Sequence, residues 1–382
     1  MIAYSNFSTD PRIRRESETL AGHGYEVNFL ALAEGNEPKT YTKEGVNVIE
    51  LKMRKHHGAN SFSYLLPYLK FLGLAFLHCS RLFLERKVDV VHVHNMPNFL
   101  VLAGLLPRLF GKEIILDVHD SVPETYGCKF GTMPKTLYKL LCLEESLSSI
   151  FANKLICVNE IQKQKLLGRG IPAEKISVVL NVPDHKIFKY EVKNQHNHKE
   201  TFDLVFHGTI DKLLGLDLAI EAVSRLIRDV PEIHLHIMGK GRHLEEFENL
   251  AEKLCIKDRV HFSKKSFPVE NLPNLLQNMD LGIIPNKKNI ATELMLPVKM
   301  MEYVAIGIPV VSARLKTIEH YFSDNMVTYF EPENVESMAN AILELYRNEK
   351  KRREQIINAR KFIEKYGWEK HQMELIRLYE EL

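Results

Sequence analysis

The 382-residue chain has only five cysteines, Cys79, Cys128, Cys142, Cys157 and Cys255, and no two form a C-x-x-C. An odd, widely spaced set argues against a disulfide framework and against a cysteine zinc site, and suits a reducing compartment. Charge of one sign is also scarce. The net value is +2, which suggests neither a nucleic-acid binder nor an acidic protein. No charged-then-apolar leader opens the sequence. Together these absences imply a cytoplasmic protein that meets a membrane, if at all, from that side. No G-x-G-x-x-G follows the first apolar run, so a dinucleotide fingerprint is missing there.

The apolar fraction is 45% and the charged fraction 26%, the balance of a soluble globular protein of about two domains. Apolar strand patterns alternate with helical ones. In the first half they are YEVNFLAL, VNVIEL, VDVVHVH, EIILDVH, KLICV and ISVVL. In the second they are FDLVFHG, EIHLHIMG, VHFS, DLGIIP, IPVVSA and MVTYF. Several are nearly continuous Val/Ile/Leu runs without alternation, as expected of strands covered by helices on both faces. The opening MIAYSNFSTDPRIRRESETL predicts a strand of four or five residues, then a helix capped by Thr9 or Asp10 with Pro11 at its first position.

The alternation runs twice, around a polar stretch at about 189–201, KYEVKNQHNHKET. This predicts an α/β protein of two Rossmann-like doubly wound domains facing a central cleft. The first spans 1–187 and the second 202–366, and a last helix, 367–382, packs back on the first.

One apolar stretch, MLPVKMMEYVAIGIPVV from Met295 to Val311, contains two charges, Lys299 and Glu302. Pro297 precedes a helical pattern and Gly307 ends it, which places both charges on one face of the first turns. A helix start with a lysine beside it attracts an anion. A carboxylate one turn on can accept two hydrogen bonds from a diol such as ribose. The alternative is a surface ion pair worth about 0.2–0.5 kcal/mol. The helix follows DLGIIPN, at the strand edge where doubly wound sheets bind ligands. Glycines mark two more strand ends there, Gly208 in FHGT and Gly239 and Gly241 in IMGKGR.

The segment LPVKMMEYVAIGIPVV resembles the donor-site motif of GT-B glycosyltransferases, particularly the retaining family 4. DPRIRRESETLAGHGYEV, VDVVHVHN, EIILDVHD, FHGTIDKLLGLDLAIEAV and SDNMVTYFEPENVESMANAI extend the resemblance over nearly the whole chain. It implies a nucleotide-diphosphate sugar donor held by the second domain and a glycan or lipid-linked acceptor held by the first. Glu302 matches the residue that holds the donor ribose and Lys299 the lysine near the diphosphate. Gly208 matches the first strand-end glycine of the nucleotide domain, and His119 the histidine facing the reacting sugar. The implied donor site comprises Gly208, Thr209, Lys212, Gly239, Lys240, Gly241, Glu293, Leu296, Pro297, Val298, Lys299 and Glu302. The implied acceptor side comprises Asn95, His119 and Asp120, and the catalytic set His119, Lys299 and Glu302.

There are two departures from the family pattern. Eight residues before Glu302 stands Leu294 rather than an acid, with Glu293 adjacent. Thr209 and Leu214 stand where many members carry the two cations that clamp the diphosphate, so Lys212 or Lys299 would have to substitute. No cofactor beyond the sugar nucleotide is implied. Without a D-x-D segment, a metal is not called for, and the family implies a retaining reaction. Two alternatives stay open: a nucleotide-sugar epimerase of the same fold, and a non-catalytic partner subunit.

His92 and His94 alternate in VVHVHN and so point to one side of a strand, either as a metal pair or as hydrogen-bonded core residues. Residues 62–87, FSYLLPYLKFLGLAFLHCSRLFLERK, are apolar but interrupted. Within 52–87 there are seven Lys/Arg against one acid, Glu85. The stretch reads either as a core helix or as one lying on an anionic membrane surface.

Overall fold

The computed structural model describes residues 1–56, 65–129, 133–189 and 200–382. Most of the polar stretch at 189–201 and the start of the apolar stretch at 62–87 lie outside the described residues. The chain divides into two compact units, one of Met1–Asn181 with Glu369–Leu382, the other of Val182–Trp368.

The first unit is built on strands β1 Ile2–Ala3, β2 Val27–Leu32, β3 Thr40–Lys43, β4 Val46–Leu51, β5 Val90–His94, β6 Glu113–Val118, β7 Lys154–Cys157 and β8 Ile176–Val178. They lie in the order β3-β4-β2-β1-β5-β6-β7-β8. All described pairs are parallel except β3 with β4. The opening strand is shorter than expected, at two residues. β3 is an addition that the sequence did not suggest. It is a half-exposed edge, TYTK, that pairs antiparallel to β4, and a short polar edge strand carries no unbroken apolar run.

The second unit has β9 Phe202–His207, β10 Ile233–Met238, β11 Val260–Phe262, β12 Leu281–Ile284, β13 Val310–Ala313 and β14 Thr328–Phe330, in the order β11-β10-β9-β12-β13-β14. Every pair is parallel. β9 is buried at all six positions, as a central strand covered on both faces should be. Asparagines set several helix starts. Asn159, Asn334 and Asn348 each accept a backbone N–H from the first turn of the helix they precede. Pro11 opens the first helix, Pro11–Gly22, as read; the side chain of Asp10 is instead taken by the Ser5 hydroxyl at 3.0 Å.

Each sheet has one point where the winding reverses: between β1 and β5 in the first, and between β9 and β12 in the second. Ligands in such sheets bind outside the carboxyl ends of the strands at that point. The residues of interest end β5 and β6 in the first unit, and end β9 or follow β12 in the second.

Candidate active site

In the second unit, β9 ends at His207 and the chain turns at Gly208, whose φ of 111° favours glycine. The helix Val298–Ala305 follows β12 and starts after Pro297. It buries Met300, Met301, Tyr303 and Val304, while Lys299 turns to Phe206 and Glu302 to His207 at the end of β9.

Lys299 Nζ lies 3.6 Å from the centre of the Phe206 ring, is buried, and has no hydrogen-bond partner. A Cβ on residue 208 would stand 3.5 Å from it, in ordinary contact. Burial pushes the Lys299 pKa down from the usual 10.5 to about 7, while the charge of Glu302 opposes that fall.

Glu302 is buried, with its Oε2 2.8 Å from His207 Nε2. His207 is pushed down to about 3, first by burial and then by the Lys299 charge, so it is neutral. The Tyr303 hydroxyl donates to Val205 O at 3.2 Å and accepts from His207 N at 3.1 Å, which fixes this helix to the end of β9.

The other expected donor residues divide into groups. Met238 pairs with His207 across the β9–β10 ladder, which brings Gly239 beside Gly208. A Cβ at Gly239 would collide with the Gly208 carbonyl, and one at Gly241 with that of Ile210. Backbone packing alone accounts for both glycines. Thr209 and Lys240 are exposed. Lys212 Nζ pairs with Glu246 at 2.7 Å, so Lys299 is the one of the two candidate cations without an acidic partner within ion-pair range. Leu296, Pro297 and Val298 lead into the helix and are half-buried. Glu293 turns to another helix start, where its Oε2 accepts from Lys316 N at 3.2 Å and its carbonyl from the Thr317 hydroxyl at 2.6 Å.

Two residues missed in the sequence belong to this rim. One is His207, immediately before Gly208. The other is Asn286, just past β12, buried with an unpartnered Oδ1.

In the first unit, Asn95 staples the ends of β5 and β6. Its Oδ1 accepts from His119 N at 2.8 Å, and its Nδ2 donates to Asp120 O at 2.8 Å and Asn98 Oδ1 at 2.9 Å. Its side chain is thus occupied within the protein. The half-buried His119 keeps an open side, with its Nε2 3.0 Å from both Asp117 Oδ2 and His94 Nδ1. Asp120 is also half-buried.

Behind His119 lies a charged cluster that the sequence did not reveal. The Arg12 guanidinium bonds both Asp117 oxygens at 2.8–3.2 Å, approaches Glu16 at 3.0 Å, and donates to Val179 O at 3.1 Å. Arg12, Glu16, His92, His94 and Asp117 are all buried. Desolvation opposes charge on Asp117, yet Arg12 and its histidine neighbours hold its pKa well below the ordinary value. Desolvation outweighs Arg12 at Glu16, which is held well above its ordinary value. Burial also lowers His92 and His94, and Tyr379 from the last helix reaches His92 Nδ1 at 2.8 Å.

Among the described residues, only Glu16, His92, His94 and Asp117 gather with metal-ligand proximity, within 4.8 Å of one another. Arg12 already lies against both carboxylates, so a cation stands there without a metal. His92 Nδ1 meets the Tyr379 hydroxyl and His94 Nδ1 lies 3.1 Å from Asp117 Oδ2, while both Nε2 atoms are buried without a hydrogen-bond partner.

Comparison with known proteins identifies the family. Residues 9–181 match the model of the glycosyl transferase 4-like domain, and residues 188–362 that of the glycosyl transferases group 1. The chain is a group 1 glycosyltransferase. It is 22% identical, over 88% of its length and 78% of the other, to a chitobiosyldiphosphodolichol beta-mannosyltransferase of Candida albicans. Among solved structures it matches sucrose-phosphate synthase of Thermosynechococcus elongatus with a TM-score of 0.78 at 16% identity, over 100% of this chain and 98% of that one. It matches Anabaena HepE, solved with UDP-glucose, at 0.74 and 14% identity, over 100% and 99%. The glycosyltransferase has the GT-B fold of these neighbours.

Proposed function

We propose that this glycosyltransferase moves a sugar from a nucleotide-diphosphate donor to a glycan or lipid-linked acceptor in cell-surface polysaccharide or glycolipid synthesis. The observation that carries the donor reading is the buried, unpartnered Lys299 amine behind Gly208, one turn before Glu302. An amine in that position lacks only an anion. The HepE neighbour was solved with UDP-glucose, and the Candida relative is named for a diphosphodolichol-linked substrate.

Breaking the sugar–phosphate bond builds negative charge on the departing diphosphate. Lys299 and the N-terminal end of its helix would receive that charge, and the loss of one such fixed donor typically costs about 3–4 kcal/mol. This chemistry supplies positive charge without a metal and fits a retaining reaction. Glu302, oriented beside neutral His207, would accept the ribose hydroxyls. His119, backed by Asp117 and His94, would face the reacting carbon, with Asp120 toward the acceptor and Asn95 holding their loop. The protein would work in the cytoplasm at an anionic membrane surface, with residues 52–87 contributing basic charge.

The test is Glu302→Gln. With a charged acceptor removed from the ribose, donor binding and kcat/KM should fall roughly 10- to 100-fold, with Tm unchanged. Unaltered donor kinetics would refute the assignment.

A further inference from the structure

Sixteen large hydrophobic side chains are exposed among the described residues, and thirteen of them lie on three neighbouring segments of the first unit. These are the helix Leu65–Leu84, the stretch 98–110, and the helix Lys135–Phe151. The three connect β4 to β5, β5 to β6 and β6 to β7, stepping the same way along the sheet. Right-handed crossovers therefore place them on one face. They pack edge to edge. The rings of Phe83 and Phe110 are 5.5 Å apart, and Glu144 accepts from Asn98 Nδ2 at 2.9 Å and from Phe99 N at 2.6 Å.

The inner face of the first helix is ordinary core, with Phe71, Ala75 and Cys79. Its outer face is not polar. Leu66, Leu69, Leu77 and Leu84 recur there at helical spacing with 49–74% exposure. Leu140, Leu143, Leu147 and Ile150 do the same on the third segment at 54–66% exposure. A soluble monomer rarely exposes apolar surface as one contiguous patch of this kind.

Charge on the patch is mostly positive, with exposed Glu85 and Asp89 each paired to a lysine at its edge. Residues 65–87, 98–112 and 134–151 hold eight Lys/Arg against three acids. Two of those acids are taken up inside. Glu145 is buried against Arg169, and Glu144 bonds Asn98 and Phe99. Exposed Glu85 is paired with Arg81 and Lys87. No described helix is long and apolar enough to cross a membrane. Leucines on a helical outer face, mixed with exposed lysines and arginines, suit a helix that lies in the headgroup layer.

We propose that this three-segment face, rather than residues 52–87 alone, docks the enzyme on an anionic lipid bilayer. The face leads directly to the acceptor end. Asn98 starts the middle segment and bonds Asn95, whose Oδ1 holds the His119 backbone. The lipid tail of an acceptor can remain in the bilayer while its headgroup reaches His119. The docking face stands on the exposed surface itself; its use by a lipid-linked acceptor rests on the transferase reading above.

The experiment is co-sedimentation of the full chain with phosphatidylglycerol–phosphatidylcholine vesicles, against phosphatidylcholine alone. Binding should require the anionic lipid. Leu77→Glu with Leu147→Glu, both at exposed sites, should weaken it at least about tenfold, and each of Lys70→Glu and Lys139→Glu roughly fivefold or more. The nucleotide-induced rise in Tm should persist in all of these variants. A wild-type protein that stays in the supernatant with anionic vesicles overturns the proposal. So does a dimer that the double variant dissociates without any vesicle binding, which would assign the face to a second copy. Membrane binding without transfer to a lipid-linked acceptor would instead leave the face standing and sink the acceptor reading.

Discussion

The buried amine of Lys299 makes a prediction whose size follows from its surroundings. In the empty protein it titrates at about 7. A diphosphate beside it restores its charge, so the bound state holds a proton that the free state sheds above neutrality. Nucleotide binding must then weaken as pH rises. With a free-state value of 7 and a bound-state value well above 9, the dissociation constant should rise roughly 50-fold between pH 7 and pH 9. Titration calorimetry in two buffers of different ionisation enthalpy measures the same effect as proton uptake. It should be about half a proton at pH 7 and close to one at pH 9.

The empty protein bears the corresponding strain. Lowering a lysine from 10.5 to about 7 opposes folding by about 4 kcal/mol at pH 7, and that penalty shrinks as pH rises toward 10. Lys299→Met, of similar length, should therefore raise the Tm of the ligand-free chain while abolishing the shift caused by nucleotide. Binding that is flat from pH 7 to 9 without proton uptake, or a Lys299→Met variant that still responds to nucleotide, would refute this reasoning.

The cluster behind His119 separates two acids of similar burial. Asp117→Asn strands the Arg12 charge and should cost about 3–5 kcal/mol in urea unfolding. Glu16→Gln removes a carboxyl whose pKa burial pushes up rather than down and should change stability by less than about 1 kcal/mol; equal effects would show that the two carboxylates share the charge. Gly239→Ala drives a Cβ into the Gly208 carbonyl and should destabilise by about 1–3 kcal/mol. Gly22→Ala, which meets nothing within 4 Å, should be neutral or slightly stabilising in the same melt.

The parallel sheets were legible because β6, β9 and β12 are nearly continuous apolar runs without alternation, a pattern that needs no tertiary information. The pair Lys299 and Glu302 was legible for the opposite reason, since two charges broke an otherwise buried pattern. β3 was not legible, because TYTK is stabilised by its partner strand rather than by its own apolarity. Nor was the Arg12 cluster. Its members are ordinary charged residues in sequence, and only the fold brings together positions 105 and 167 residues apart. Lys212 shows the limit of reading cations from a motif. It stands in the right loop, but Glu246, on the helix Leu244–Lys253, claims it.

The last helix, Trp368–Glu380, has a consequence for the order in which the chain is made. The first unit includes Glu369–Leu382, and Tyr379 reaches back 287 residues to His92. The ribosome therefore begins the first unit, makes the whole of the second, and only then supplies the piece that completes the first. Domains ordinarily fold as units, amino-terminal first. Here Val182–Trp368 can close while the earlier unit still waits, with buried His92 and half-buried Tyr25 lacking their partner ring. A nascent chain stalled before residue 369 would thus carry a finished second unit and an unfinished first one.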